Sequence, residues 1–569
     1  MKRSLGIPML LAGAVLLAGC GGSGNNNKKP SGENAGAAVD YQFGAEKTFH
    51  SDSPVTYSIS FSDASWYPMV DTWKTEGLFK KIEDATNVHL DITSYDSGDY
   101  GQKVNLAINS GAATYIIPKI YSEDQYVAGG GIVAVSDYTQ YMPNFTAFVE
   151  KYNMQPDLDT IKQSDGKFYR LPGMHQAALQ DYTILVRDDI FTAAGFDIRE
   201  LEKDWTWEKL HDVLVEVKKY MVSQGMCTES DYIWSDLWCG ESGKGMGGNL
   251  LKLMGSSYKV LSGWAIEGSN GGIKFDKNKG EFYSSSVSDD FKKFITVANS
   301  FVKDKLLDPE TFTQSDEVAH NKFYNGNTVI MSTNRSQLSN DIIGVQKILG
   351  DGPKCYVTAY PSGTTKDLAE TSRLECGVMI SENARKELGE DGFIKMMRFV
   401  DWLFYSKEAY SLVKWGPEGE TWQWGEVEGK KVKQLLPGFK CGGLGIAGGE
   451  EDTDIRLKWG YAGGNYYYGH STEESTDNFT PQVQDLYARY AKYKTIATVD
   501  PKAKPTEDQR EQLNLWAGPL TDNINTWTLN FITGKKDINA DWDAYVKSCK
   551  DLNLDSIVDL TNKIYKEQK

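Results

Sequence analysis

Two consecutive strand–helix units set the class of architecture open to this chain. Val55, Tyr57, Ile59 and Phe61 alternate as one face of a strand. A helix over roughly Trp73 to Thr86 follows, then a second strand from Val88 to Ser94. Tyr100 to Asn109 fits another helix, with Val104 and Ile108 one turn apart. Such repeated units predict an α/β body built on a mainly parallel sheet.

Later segments extend the pattern. Thr206 can cap a helix whose Trp207, Leu210, Leu214, Val217 and Met221 form one stripe. Phe291, Phe294, Ile295, Ala298, Phe301 and Val302 make a second stripe, and Phe393, Met396, Met397, Val400, Leu403 and Phe404 a third. All three read as core faces. Thr183 to Arg187, Thr328 to Ser332 and Val378 to Ser381 are strand candidates between them.

The amino terminus fixes the compartment. Lys2 and Arg3 precede an apolar stretch from Leu5 to Leu17, which has the length of a secretory signal and is too short to span a bilayer. It ends in Leu17-Ala18-Gly19-Cys20, which looks like a bacterial lipobox. Cys20 is then the residue that receives the lipid, diacylglyceryl and palmitate, after removal of residues 1–19. The alternative is an ordinary signal peptide with an accidental cysteine. Gly21 to about Ala38 is rich in Gly, Asn, Lys and Ser and predicts a flexible tether. No later run is long and apolar enough for a membrane helix.

About 530 residues then remain, enough for two or more domains with sizeable cores. The formal charge of −17 makes nucleic acid an unlikely class of partner, and no basic or aromatic-basic stripe appears. It also disfavours a polyanionic ligand, unless a local basic pocket overrides the overall field. Cys227, Cys239, Cys355, Cys376, Cys441 and Cys549 remain besides Cys20. Cys227 with Cys239 and Cys355 with Cys376 are the local candidate disulfides, and buried thiols are the alternative.

A series of motifs resembles the family 1 extracellular solute-binding proteins, in their long Gram-positive lipoprotein branch. Thr86-Asn87-Val88 opens the second strand, and Asn109-Ser110-Gly111 ends the next helix. Gly131-Ile132-Val133, Asp137-Tyr138 and Tyr141-Met142-Pro143-Asn144-Phe145 follow. Asp165-Gly166-Lys167-Phe168-Tyr169 with Leu171-Pro172 resembles the hairpin that leads into the interlobe hinge, and Val186-Arg187-Asp188-Asp189 the strand and turn beyond it. Asp401-Trp402-Leu403-Phe404-Tyr405-Ser406, Gly416-Pro417-Glu418-Gly419-Glu420-Thr421-Trp422, Phe531-Ile532-Thr533-Gly534 and Asp541-Trp542-Asp543-Ala544-Tyr545 complete the series. Long relatives often carry a calcium loop after the helix matching Thr206 to Tyr220. Here Ser223 to Asp231 holds only two spaced carboxylates, too few oxygens for calcium, so no metal is expected.

The resemblance implies a two-lobed periplasmic-binding-protein-like fold (type II) with a multi-strand hinge and a ligand cleft. Its expected division is a signal peptide at 1–19 and the lipidated cysteine with its tether at 20–54. An N-lobe follows at 55–174 plus 333–380, and a C-lobe at 175–332 plus 381–569. The chain is expected to leave the first lobe near Gly173, return near Asn334 and cross again around Val378 to Arg385. The implied function is capture of an oligosaccharide for the permease subunits of an ABC importer. The expected protein is a monomer without cofactors, held at the extracytoplasmic face of the cell membrane through the lipid alone.

Sugars present hydroxyls to planar polar groups and C–H faces to aromatic rings, which Trp serves best. Trp66, Trp234 and Trp422 are the first stacking candidates, followed by Trp238, Trp415, Trp459 and Tyr461. Asp63, Asp236, Asn334 and Glu418 are the polar candidates, and His175 follows the hinge motif. Each aromatic in a loop has the alternative of covering the core. No HExxH, zinc-type Cys-His spacing, GxSxG elbow or phosphate loop appears, and Gly442 to Gly449 reads as a plain loop. The expected protein is not an enzyme. The rivals are a surface-anchored glycoside-active enzyme, which needs only two placed carboxylates, or the same fold with a peptide or acidic sugar as ligand.

Overall fold

The computed structural model describes residues 44–427 and 429–568. The expected signal peptide, Cys20 and the tether up to residue 43 lie outside the described residues. Apolar side chains gather into two large separate cores. One takes residues from Phe49 to Met174 and from Cys376 to Tyr468, and the other from Ile184 to Leu368 and from Phe479 to Ile564. Each core is the inside of one lobe.

A six-stranded sheet carries the first lobe, in the order Gly469–His470, Leu171–His175, Leu374–Ile380, Ile116–Ile120, Val55–Asp63, Val88–Asp96. Val55–Asp63 pairs in parallel with both neighbours, whereas Leu374–Ile380 runs antiparallel to the strands on either side. Five of the six strands therefore run the same way and Leu374–Ile380 runs against them, so the sheet is mainly parallel. Ile116 and Val378 face the large core, while Ile117 and Met379 point to the opposite side, where a smaller cluster with Tyr100 and Val104 covers them.

The second lobe is built on an antiparallel sheet ordered Ile330–Asn334, Tyr182–Arg187, Cys355–Thr358. Ile184, Leu185 and Val186 are consecutive and wholly buried, the apolar run of a strand covered on both faces. The helix Trp207–Ser223 packs its predicted stripe on this lobe, and the Thr206 hydroxyl accepts from the Lys209 N–H at 3.2 Å as its cap. The helix predicted over 73–86 forms as two, Thr72–Thr75 and Leu78–Thr86. They part at Gly77, where a Cβ would stand 2.4 Å from the Trp459 carbonyl oxygen.

The chain leaves the first lobe close to Gly173, at residues 176–181, and crosses again at 369–373 and 471–478 rather than near Asn334 and around Val378 to Arg385. The expected partition is corrected accordingly. Residues 333–368 belong to the second lobe, because Ile330–Asn334 pairs with Tyr182–Arg187. Residues 381–468 stay with the first, because Leu374–Ile380 inserts into its sheet and the helix Glu382–Tyr405 packs there. The tether is also shorter than 20–54. Phe49 is buried against Phe399 at 5.7 Å between ring centres, and the Ser51 N–H donates to the Thr86 carbonyl.

Asn144 and Asp401, from two of the motifs, meet in the first lobe. The Asp401 carboxylate accepts from the Asn144 and Phe145 N–H groups at 3.0 and 2.8 Å and from Asn144 Nδ2 at 2.8 Å. These bonds satisfy the N-terminus of the helix Pro143–Tyr152. Burial pushes the carboxyl up to about 7 against the pull of these donors. Their role is structural. All six described cysteines are free thiols, so neither candidate disulfide forms. Among the described residues no helix is long and apolar enough to cross a membrane.

Candidate functional site

Strand ends and crossing segments deliver charged side chains to one place between the lobes. Lys119 comes from the end of Ile116–Ile120, His175 from the end of Leu171–His175, and Glu375 from Leu374–Ile380. Arg335 follows the second-lobe strand Ile330–Asn334. These four, with Tyr410 and Lys414, line a cavity of about 190 Å³.

Each of these groups is fixed by identifiable bonds. Glu375 Oε2 lies 2.9 Å from His175 Nε2 and accepts from the Gly469 N–H at 3.2 Å. Burial alone would raise this carboxyl, but the His175 hydrogen bond, aided by the charges of His175, Lys119 and Arg335, holds it at about 2. A folded-state value below that of the unfolded chain stabilises above the ordinary glutamate range, and that contribution is lost as pH falls toward 2. Glu375→Gln is therefore expected to flatten the acid limb: urea titrations across this window should show the wild type losing stability relative to the variant as pH falls. Parallel profiles would contradict the assignment. Lys414 donates to Asp477 Oδ1 at 2.6 Å and to the Glu474 carbonyl at 2.9 Å. Burial lowers it to about 8, although Asp477 pulls the other way.

Asn334 acts on the pocket through its neighbour. Its Oδ1 accepts from the Ser336 and Gln337 N–H groups at 3.0 and 2.9 Å, fixing the turn that carries Arg335. Arg335 Nε lies 3.2 Å from Asp181 Oδ1 on a crossing segment. The Gly442 to Gly449 tract supplies another wall. A Cβ at Gly445 would come within 3.1 Å of the Arg335 carbonyl oxygen, so glycine lets this first-lobe loop approach the second lobe. Asn478 Nδ2 ties the tract down through the Leu444 carbonyl at 2.9 Å.

Tyr410 and Tyr467 put aromatic rings in the cavity wall, and other rings of both lobes lie outside that wall. Trp66 and Tyr121 of the first lobe are 65% and 69% exposed, far beyond what core rings show. Trp66 packs edge-on against Tyr67 at 5.8 Å, and the Lys119 ammonium lies 5.7 Å from the centre of the Tyr121 ring. Asp63 holds the Trp66 loop, its Oδ1 accepting from the Met69 N–H at 2.9 Å. In the second lobe Tyr182 meets Trp238 at 5.1 Å and Trp264 at 5.5 Å. Burial, then Asp181, Glu370 and first-lobe Tyr121, raise the Tyr182 phenol.

Of the residues expected to bind ligand, His175 lines the cavity and Asn334 directly precedes Arg335, which also lines it; Trp66, Asp63 and Trp238 are not part of its wall. Others lie elsewhere. Trp234 is wholly buried in the second core with its ring edge-on to Phe301 at 5.4 Å. Asp236 is buried beside it, accepting from the Ser332 N–H at 2.5 Å, Ser332 Oγ at 3.0 Å and the Leu237 N–H at 2.9 Å. Trp415 and Trp422 are core residues of the first lobe, their indoles donating to Asp477 at 2.9 Å and to the Gly416 carbonyl at 2.8 Å. Tyr461 is buried, Trp459 packs on Phe439 at 5.5 Å, and Glu418 projects from an exposed turn. None of these seven lines the cavity.

Lys119, Arg335, Glu375, Tyr121, Tyr182 and Trp264 were not anticipated. The signal for three of them is a charge set at the end of, or directly after, an apolar strand, as in Ile116-Ile117-Pro118-Lys119. Among the described residues no three His, Cys, Asp or Glu side chains converge as metal ligands would.

Solved structures share the fold over nearly the whole chain. The alginate-binding protein AlgQ2, crystallised without calcium ion, is 16% identical, with a TM-score of 0.65 over 92% of this chain and 100% of that one. The Streptococcus pneumoniae ABC-transporter substrate-binding protein FusA in complex with kestose is 16% identical, with a TM-score of 0.64 over 90% and 99%. An HMO-binding, ABC-transporter-associated solute-binding protein from Bifidobacterium longum infantis is 15% identical, with a TM-score of 0.62 over 90% and 99%. The search of curated proteins gives no match. A sequence profile of the bacterial extracellular solute-binding proteins matches residues 77–390. With that match spanning more than half the chain, and two lobes enclosing a polar cavity, this protein belongs to the bacterial extracellular solute-binding family.

Proposed function

We propose that this chain captures an oligosaccharide between its lobes and presents it to the permease subunits of an ABC importer, without altering it. One observation carries the reading: the interlobe cavity takes hydrogen-bonding groups from both lobes, Lys119, His175 and Glu375 with Arg335 and Ser336, and the rings of Tyr410 and Tyr467 stand in its wall. Rings bind the C–H faces of a sugar while the polar groups bind its hydroxyls. A ligand touching both lobes favours the closed arrangement in proportion to the contacts made only there. Alginate and kestose, named with two of the structural neighbours, are carbohydrates. The protein works outside the cytoplasm as a monomer, anchored through lipid on Cys20.

The test is a thermal-shift panel of neutral and acidic oligosaccharides, followed by recovery and sizing of the sugar. A raised melting temperature with intact sugar is expected. Shortened products would replace capture with hydrolysis, and a panel without any stabilising glycan would remove the sugar reading. Trp66→Ala is expected to weaken the best glycan about tenfold, near 1.4 kcal/mol, with an unchanged melting temperature in its absence. Titration calorimetry measures the loss.

A further inference from the structure

We propose that the ligand of this cavity carries a carboxylate, as a uronic acid does, and that Lys119 of the first lobe and Arg335 of the second receive it between them. The proposal rests on the sugar-capture reading and narrows its ligand class. It follows from matching each charge at the cavity with its partner.

The acids are already engaged. Glu375 is held by His175 at 2.9 Å and by the Gly469 N–H at 3.2 Å. Asp477 is held by Lys414 at 2.6 Å, Lys433 at 3.1 Å and the Trp415 indole at 2.9 Å. Glu370 is held by Lys252 at 2.5 Å and the Asp181 N–H at 2.5 Å. Two cations are left short. The Lys119 ammonium donates to the neutral Gly464 carbonyl at 2.9 Å, has the neutral Tyr121 phenol as a further partner, and forms no ion pair among the described residues. Arg335 has one carboxylate beside it, Asp181 at 3.2 Å from its Nε, and its further partners are the neutral Tyr487 phenol and the Phe479 ring at 5.6 Å. Both side chains line the cavity.

The backbone of Lys119 is a second, independent observation. It sits at φ 62, a left-handed conformation that a lysine adopts only when its surroundings impose it. Its N–H donates to the Tyr468 hydroxyl at 3.0 Å, so this lysine is held in place rather than left as a mobile surface charge. Positive charge concentrated in the cavity of a chain with net charge −17 runs against the field of the whole molecule, so the local cations decide for or against an anion. A carboxylate would accept from the Arg335 guanidinium and from the Lys119 ammonium in charge-assisted bonds. Because the two cations come from different lobes, the bound anion would also favour closure.

The experiment is a thermal-shift titration of the folded protein with sodium D-glucuronate, sodium D-galacturonate, glucose and galactose at matched ionic strength. It is repeated on Lys119→Met and Arg335→Met, with circular dichroism confirming their fold. At least one uronate is expected to raise the wild-type melting temperature more than its neutral parent does, and each substitution should abolish that excess. No excess in the wild type overturns the proposal even if a variant fails to fold, and so does an excess that survives either substitution. A neutral oligosaccharide that binds while no uronate exceeds its parent overturns the carboxylate and leaves sugar capture standing. Absence of binding by every acidic and neutral glycan overturns both.

Discussion

Arg489→Met is expected to lower the unfolding free energy by about 3–5 kcal/mol. Arg489 joins the helix Pro481–Tyr493 to the second-lobe sheet from inside the protein. Its NH1 donates to Glu202 at 2.6 Å and its NH2 to the Val357 carbonyl at 2.9 Å. Glu202 is 3% exposed and also accepts from Tyr356 at 2.7 Å and the Ala359 N–H at 3.1 Å. Burial raises the Glu202 carboxyl, and the Arg489 charge is the largest influence holding it down. Methionine fills the space of the stem and leaves that acid buried without its cation. Urea denaturation at neutral pH measures the loss, and a change below about 1 kcal/mol would mean that water or another base replaces Arg489.

Trp234→Ala is expected to cost a similar amount, about 3–5 kcal/mol, because a large ring is removed from a packed core. Trp234 is 0% exposed, and its backbone bridges Leu307 on one side and Ile330 on the other, so the site has little freedom to collapse. Its effect should fall on stability, with ligand affinity unchanged at temperatures where the variant is folded. Trp66→Ala should do the reverse. The paired measurements, denaturation and calorimetry on both variants, separate an indole that builds the lobe from one offered to ligand. A Trp234→Ala protein of normal stability and lost affinity would contradict its placement in the core.

How much the sequence revealed depended on the distance over which each feature is decided. Helices such as Trp207–Ser223 and Asp289–Lys303 were legible because a stripe and a cap are local. Lobe membership was not. It turns on Leu374–Ile380 pairing with strands more than 190 residues earlier, an event that leaves no trace in the local pattern of residues 374–380. The same limit governs the site. Trp234 and Trp238 lie four residues apart in one loop, yet one fills a core and the other, only partly buried, packs on Tyr182. Trp238 stands at φ 57, a turn of the chain that composition does not announce. Trp415 and Trp422 looked like ligand platforms because they surround Glu418 outside any strand or helix stripe, but both indoles donate inward. Trp66 could be picked out because it follows a recognisable strand, and His175 because it follows the hinge motif.

The account stands on a solute held between two lobes that close upon it. Small-angle X-ray scattering of the protein alone, and saturated with whichever glycan raises its melting temperature most, tests this directly. The radius of gyration should fall on saturation, because contacts from both lobes favour the closed form. An unchanged radius at full occupancy would mean that the sugar rests on one lobe, and the capture mechanism would fail.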